Sequence, residues 1–359
     1  MSRTMKAALL YGPRDVRVID VPKPTIGPWE VLVKVKICMT SGTTVKQYAR
    51  GYPGRGYPHG FGYEWAGEIV EVGEGVDESL IGKKCISLAP EYACNNCFFC
   101  IRGQSNLCAQ TGHALDKVRC EVDEPEKGKV SGYFKEYTKE KISELYILPE
   151  HLHIDDACQI PYVAYAIHGH RILRINPGDY VACVGAGAMG VIQLILAHLK
   201  GAKTIAIDVN EDRLDFAKKV GAADFVIKAK NAHEAKMALK DLNINDGWGP
   251  DIVIEAVGLP QTYEEAVELV RRGGQVLLYG GIPEGTKVTF DTYRLHYDEI
   301  AIFGSSGVTM EDVIRARNLV EWGIIKPNIF ITDRFPLIKI KEALELHLQG
   351  KGIKFAIIP

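Results

Sequence analysis

The chain has 359 residues, of which 47% are apolar and 25% charged, and a net charge of −2. That length exceeds one average domain, so two are expected. The near-neutral balance gives no electrostatic reason for a nucleic acid or an anionic membrane as partner, and Met1 to Asp15, with Arg3, Lys6 and Pro13 and no long apolar core, does not read as a signal peptide.

The first part reads as β-rich. Glu30-Val-Leu-Val-Lys-Val-Lys-Ile37 alternates, and Gly67-Glu-Ile-Val-Glu-Val-Gly73 is an apolar-biased strand between glycines. Glycines and prolines from Gly51 to Gly62 predict a long irregular loop. Nine cysteines follow an uneven pattern: Cys38, Cys85, Cys120, Cys158 and Cys183 are scattered, whereas four crowd into Cys94 to Cys108. A disulfide framework belongs to a small secreted domain, so a reducing compartment with a metal cluster is the simpler reading.

Cys94-Asn-Asn-Cys97-Phe-Phe-Cys100 followed by Cys108 is C-x2-C-x2-C-x7-C. Short spacings let a tight loop turn several thiolates toward one ion, and four sulfurs close a tetrahedron around zinc. No position then remains for water or substrate, so such a zinc is structural, one per chain. Four cysteines also suit an iron–sulfur cluster; zinc is the expectation. Val118 to Lys129 is a polar excursion with no apolar face and reads as a surface loop.

From about Ile154 strands and helices alternate. Tyr180-Val-Ala-Cys-Val184 is a short strand and Met189 to Leu199 a helix. Tyr180 to Leu199 carries no Asp, Glu, Lys or Arg and is long enough to cross a bilayer. Gly185, Gly187 and Gly190 interrupt it and Asp179 and Lys200 bracket it, so a buried strand, tight turn and buried helix fit better than a membrane span. Thr204 to Asp208 is the next strand and Glu211 to Val220 a helix; strands recur at Phe225 to Ile227, Asp251 to Glu255 and Gln275 to Tyr279. This alternation predicts an α/β unit with a parallel, doubly wound sheet. After Gly281 the rhythm breaks down, with single helices at Met310 to Trp322 and Ile340 to Leu348.

Gly185-Ala-Gly-Ala-Met-Gly190 fits G-x-G-x-x-G, follows a strand, opens a helix, and lies 18 residues ahead of Asp208 at a strand end. Those contexts are what a dinucleotide fingerprint requires. Gly185 permits the tight turn, Gly187 lets a pyrophosphate approach the backbone, and Gly190 lets helix and strand pack closely. Free N–H groups of the turn, through Ala188 and Met189 at the helix start, then face phosphate. Asp208 is expected to accept hydrogen bonds from the adenosine ribose hydroxyls and to repel a 2′-phosphate, which favours NAD over NADP. Arg213 lies close enough to neutralise that phosphate and keeps NADP open.

On the four-cysteine lobe, the fingerprint, Ile37-Cys-Met-Thr-Ser41 and Gly60-Phe-Gly-Tyr-Glu-Trp-Ala-Gly67, the chain resembles the zinc-containing alcohol and polyol dehydrogenases of the medium-chain dehydrogenase/reductase superfamily over essentially its whole length. The resemblance implies a β-rich, GroES-like catalytic domain over 1–153 with the zinc lobe at about 91–110, a Rossmann NAD-binding domain over 154–290, and a return to the catalytic domain over 291–359. It implies that the turns at Val257 and Gly280 line the cofactor. It further implies a small-molecule substrate, a cytoplasmic setting, and a homo-oligomer, dimer or tetramer, formed through an edge of the Rossmann sheet.

The same resemblance exposes departures. The family's catalytic zinc usually takes a Cys, a His and a third Cys, Asp or Glu. Cys38 matches the first and Glu64 the acid of the Gly-His-Glu motif, but the histidine position is Tyr63. Where polyol-type members place Glu before Pro, this chain reads Gln159-Ile-Pro161, and the relay histidine is Thr43; Thr40 alone keeps the hydroxyl expected to pass the substrate proton. A neutral tyrosine oxygen, its phenol ionising only near a pKa of about 10, is a poor zinc ligand. Cys158 could substitute as a ligand after a local shift, yet a single structural zinc without a catalytic one is the expectation. Without that zinc another acid must manage charge on the substrate oxygen, and Tyr63 is the candidate, with Thr40 beside it and Glu64 tuning the field. Tyr63 as a packing residue and Cys38 as a buried thiol remain the competing readings.

Three functions are therefore open. The leading one is an NAD-dependent dehydrogenase of a secondary alcohol, a polyol, cyclitol or sugar derivative. The second is a metal-free reductase of an activated C=C or C=N bond, and the third a catalytically silent NAD-binding protein.

Overall fold

The alternation in Glu30 to Ile37 grows into the strand Glu30–Met39, whose Val31, Val33 and Val35 are buried on one face. Placed centrally, it pairs antiparallel with Glu64–Val72, with Tyr137–Lys141 and with the last strand, Lys354–Ile358. The computed structural model describes residues 3–51, 56–87, 93–110 and 123–359. Cys120 lies outside the described residues, as do parts of three expected features: 52–55 of the glycine-rich loop, 91–92 of the lobe and 118–122 of the polar excursion.

The chain packs into two units, Met1–Ala164 with Val308–Pro359, and Tyr165–Gly307. In the first, a seven-stranded sheet runs Ile331–Pro336, Lys354–Ile358, Glu30–Met39, Glu64–Val72, Lys84–Ser87, Leu145–Ile147, with Tyr137–Lys141 on a side branch; a three-stranded sheet joins Asp15–Pro22, Thr4–Gly12 and His59–Gly60. The register sets Cys38 opposite Trp65 and Ile357, and Met39 opposite Glu64. Residues far apart in the chain thus meet at one end of three adjacent strands. Phe61, Trp65, Phe134, Phe335 and Phe355 fill the core beneath them.

The second unit is a six-stranded sheet in the order Phe225–Lys228, Lys203–Asp208, Tyr180–Val184, Ile252–Glu255, Gln275–Leu278, Ala301–Gly304, with every pair parallel. The chain order reverses between Tyr180–Val184 and Ile252–Glu255, which makes the switch point of a doubly wound sheet. The strand–helix rhythm does not stop at Gly281: the helix Thr292–Tyr297 and the strand Ala301–Gly304 supply the sheet's edge. The polar, glycine-containing stretch from Pro283 to Asp291 hides that continuation from periodicity. Tyr180 to Leu199 is a buried strand, a turn and a buried helix, and among the described residues no helix is long and apolar enough to cross a membrane.

Candidate functional site

The turn after Tyr180–Val184 is shaped by its glycines. Gly185 has φ +98°, a conformation side chains disfavour. A Cβ on Gly190 would stand 1.8 Å from the Gly185 carbonyl oxygen, so the helix Ala188–Leu199 can approach the strand only with glycine there. A Cβ on Gly187 would meet nothing within 4 Å, which leaves its backbone open to an incoming group. The helix N-cap at Gly187 has no side-chain hydrogen bond, so the first-turn N–H groups at Ala188, Met189 and Gly190 are not capped by it. Asp208, buried at the end of its strand, accepts from the Ala186 N–H at 2.7 Å and from the Asn210 N–H at 2.8 Å. A carboxylate has about four acceptor positions, so capacity remains for ribose hydroxyls. The Arg213 guanidinium lies 3.7 Å from the Asp208 carboxylate. These features fit a dinucleotide.

The four clustered cysteines converge. Their sulfurs all lie within 4.8 Å of one another, with Cys94 to Cys100 at 3.9 Å and Cys97 to Cys108 at 4.0 Å. Zinc–sulfur bonds of about 2.3 Å in a tetrahedron require edges of about 3.8 Å, so the set can hold zinc. Left-handed backbone at Asn95 (φ 58°) and Gly103 (φ 76°) folds the loop back on itself. The Ala109 N–H donates to Cys97 Sγ and the Cys94 N–H to Cys108 Sγ, each at 3.4 Å. The Ala109 hydrogen bond, with one from the Cys100 backbone, holds the Cys97 thiol below its ordinary value.

The residues expected around a reacting centre are placed differently. Cys38 is fully buried; a Cβ on neighbouring Gly62 would stand 3.0 Å from its sulfur. Burial, then the Glu64 carboxylate, push that thiol well above its usual pKa. Glu64 is not free to ligate: its Oε2 accepts from the Lys354 ammonium, which is 1% exposed and lies 3.9 Å over the Tyr162 ring. Burial raises the Glu64 carboxyl while Lys354 opposes it. Cys158 donates its S–H to the Asp155 carbonyl at 3.4 Å, and the Gln159 amide donates to the carbonyls of Asp155 and Pro327 at 3.0 and 2.8 Å. Among the described residues, only the four lobe cysteines form a set of three or more His, Cys, Asp or Glu groups close enough to share an ion. Around Cys38 the described residues bring no such set together, Glu64 being engaged by Lys354 and Cys158 by the Asp155 carbonyl.

Tyr63 precedes the strand Glu64–Val72 and is 42% exposed, its hydroxyl 2.6 Å from Nε2 and 2.9 Å from Oε1 of the buried Gln47 amide. Thr40 is fully buried; its Oγ1 accepts from the Phe355 N–H at 2.9 Å and lies 2.9 Å from His347 Nδ1. Gln47, His347 and Lys354 were not singled out by sequence. Each partners a residue that was, but across 16, 307 and 290 positions of chain, beyond any local pattern. The turns at Val257 and Gly280 meet through Glu255, another group with no sequence signal beyond ending a strand.

Residues 27–150 match the alcohol dehydrogenase GroES-like domain family and residues 188–322 the zinc-binding dehydrogenase family. A sorbitol dehydrogenase of Bombyx mori is 30% identical over 98% of this chain and 97% of its own length. D-arabinitol dehydrogenase 1 of Uromyces fabae is 29% identical over 99% and 97%. Among solved structures, a zinc-binding dehydrogenase from Sinorhizobium meliloti 1021 bound to NADP superimposes with a TM-score of 0.85 at 26% identity, covering 100% of both chains.

Proposed function

Because this chain belongs to the zinc-binding alcohol and polyol dehydrogenases of the medium-chain superfamily, and so is an oxidoreductase of CH–OH groups, we propose that it transfers a hydride between NAD and a secondary alcohol or ketone of polyol, cyclitol or sugar type. The observation that carries the cofactor reading is the Gly185–Gly190 turn with the Asp208 carboxylate anchored beside it by the Ala186 N–H. The carboxylate disfavours a 2′-phosphate and so favours NAD, with Arg213 limiting the margin. The substrate class rests on relatives named for sorbitol and arabinitol.

A bound nicotinamide supplies the hydride acceptor or donor. Zinc held by Cys94, Cys97, Cys100 and Cys108 would keep the lobe folded, with no coordination position left for substrate. Around Cys38 this chain's own groups do the work. Tyr63, exposed and held by Gln47, hydrogen-bonds the substrate oxygen as its charge develops. Thr40 takes or returns a proton in its hydrogen-bonded pair with His347. Glu64 is bound to Lys354, so the end of the strand behind Tyr63 stays fixed. The donor set around Cys38 also favours a second reading, reduction of an activated C=C or C=N bond, which needs no Lewis acid on an alkoxide. In either case we place the protein in the cytosol as a homo-oligomer, dimer or tetramer, joined through an edge of the parallel sheet.

Titration with NADH and NADPH, metal counting and a substrate panel test this reading together. The expected result is NADH bound at least tenfold tighter than NADPH, one zinc per chain, and NAD reduction with a polyol or cyclitol. Two zinc ions per chain, with activity lost as the second is removed, would overturn the metal-free centre. Turnover of enones or imines without any alcohol would select the second reading, and nucleotide binding without turnover of any panel member would leave a silent binder.

A further inference from the structure

We propose that Glu255 is a positioning residue for the cofactor, a buried carboxylate that clasps together the two turns under its nicotinamide half. Glu255 is 0% exposed and ends the strand Ile252–Glu255. Its Oε1 accepts from the N–H of Val257 at 2.9 Å, the N–H of Gly258 at 2.8 Å and the Thr262 hydroxyl at 2.7 Å. Its Oε2 lies 3.3 Å from the Gly280 N–H, which also donates to the Glu255 backbone carbonyl at 2.9 Å, in the turn that follows the next strand, Gln275–Leu278. One residue, by side chain and backbone carbonyl together, therefore holds the turns after two neighbouring strands. Tyr263 reinforces the second, its hydroxyl donating to the Gly280 carbonyl at 2.6 Å.

The turns touch backbone to backbone. A Cβ on Gly258, at φ +83°, would stand 2.3 Å from the Gly281 carbonyl oxygen, and one on Gly280 would stand 2.3 Å from the Gly258 nitrogen. A Cβ on Gly185 would stand 2.7 Å from Val257 Cγ2, so the clasped pair also abuts the glycine turn. In a doubly wound sheet a dinucleotide lies across the carboxyl ends of the strands at the switch point. With Asp208 on one side of that point and the glycine turn at it, the other half of the molecule lies over the turns that Glu255 holds. The inference rests on the dinucleotide reading given above.

Four donors surround the carboxylate and no donor is required of it, so an acceptor-only group is demanded. Glu255→Gln keeps Oε1 for three donors but sets an amide N–H₂ against the Gly280 N–H. NADH, and ADP as a probe lacking the nicotinamide half, are titrated into wild type, Glu255→Gln and Tyr263→Phe. Both variants are expected to weaken NADH at least fivefold while ADP affinity stays within twofold. If both ligands weaken equally, or neither does, Glu255 is merely structural and the proposal falls. Should Glu255→Gln not fold, Tyr263→Phe decides by the same split, since it loosens the Gly280 turn without disturbing the buried charge. Wild type that binds neither NADH nor NADPH would instead remove the dehydrogenase reading itself.

Discussion

Tyr63 stands where relatives are expected to carry a metal-binding histidine, and its exposed hydroxyl rests on Gln47. Tyr63→Phe should lower kcat about tenfold, about 1.4 kcal/mol of barrier, with nucleotide affinity unchanged; steady-state kinetics with a substrate from the panel checks it, and unaltered turnover would remove Tyr63 as the acid. A second residue sets a pH response. Burial, aided by the Lys200 ammonium, pushes His170 from 6.5 down to about 3. A group depressed in the folded state stabilises the fold fully above its unfolded pKa, and that contribution is lost as pH falls. Stability should therefore decline below pH 6.5 and toward 3 by about 1.4 kcal/mol per unit from this group. Denaturant melts of wild type and His170→Leu at several acid pH values should differ in slope by about one proton. The departures at Tyr63 and Gln159 were legible at this scale, because each breaks a local motif. Lys354 was not legible, since a lysine at the start of a C-terminal apolar run says nothing about burial until the register sets its strand beside Cys38.

Local geometry was the most readable level. The glycine turn, the cysteine spacing and five of the six strands of the parallel sheet follow from patterns spanning fewer than twenty residues, and such patterns are decided by backbone sterics and ligand reach. Gly190 illustrates how sharp the constraint is. Gly190→Ala would drive a methyl group into the Gly185 carbonyl 1.8 Å away, so the helix must move off the strand and the anion-facing N–H groups with it. NADH affinity should fall more than tenfold, whereas Gly187→Ala, with nothing within 4 Å, should fold normally and lose affinity only through crowding of the ligand. Calorimetric titration separates the two. The edge strand Ala301–Gly304 escaped sequence reading for the opposite reason: four residues after a polar loop carry too little periodicity to distinguish a strand from the core of a turn.

Across the molecule, the first unit depends on a segment that closes it from the far end of the chain. Lys354–Ile358 sits between Ile331–Pro336 and Glu30–Met39, and it brings both the partner of Glu64 and the backbone N–H that Thr40 accepts. Deleting residues 353–359 should leave the Cys38 and Met39 end of the strand Glu30–Met39 unpaired on that side, with the buried Glu64 carboxylate also without its ammonium, and that chain should aggregate. The unit Tyr165–Gly307, expressed alone, should still give a cooperative melt that NADH raises.

That interlacing imposes a timetable on synthesis. Residues 165–307 are contiguous and leave the ribosome complete, so the nucleotide-holding half can mature while translation continues. The other unit must keep Glu30–Met39 waiting for a strand made some three hundred residues later. During that interval Cys38 and its neighbours lack their final wall, so a ligand of the finished unit would meet the polypeptide before the first unit has closed.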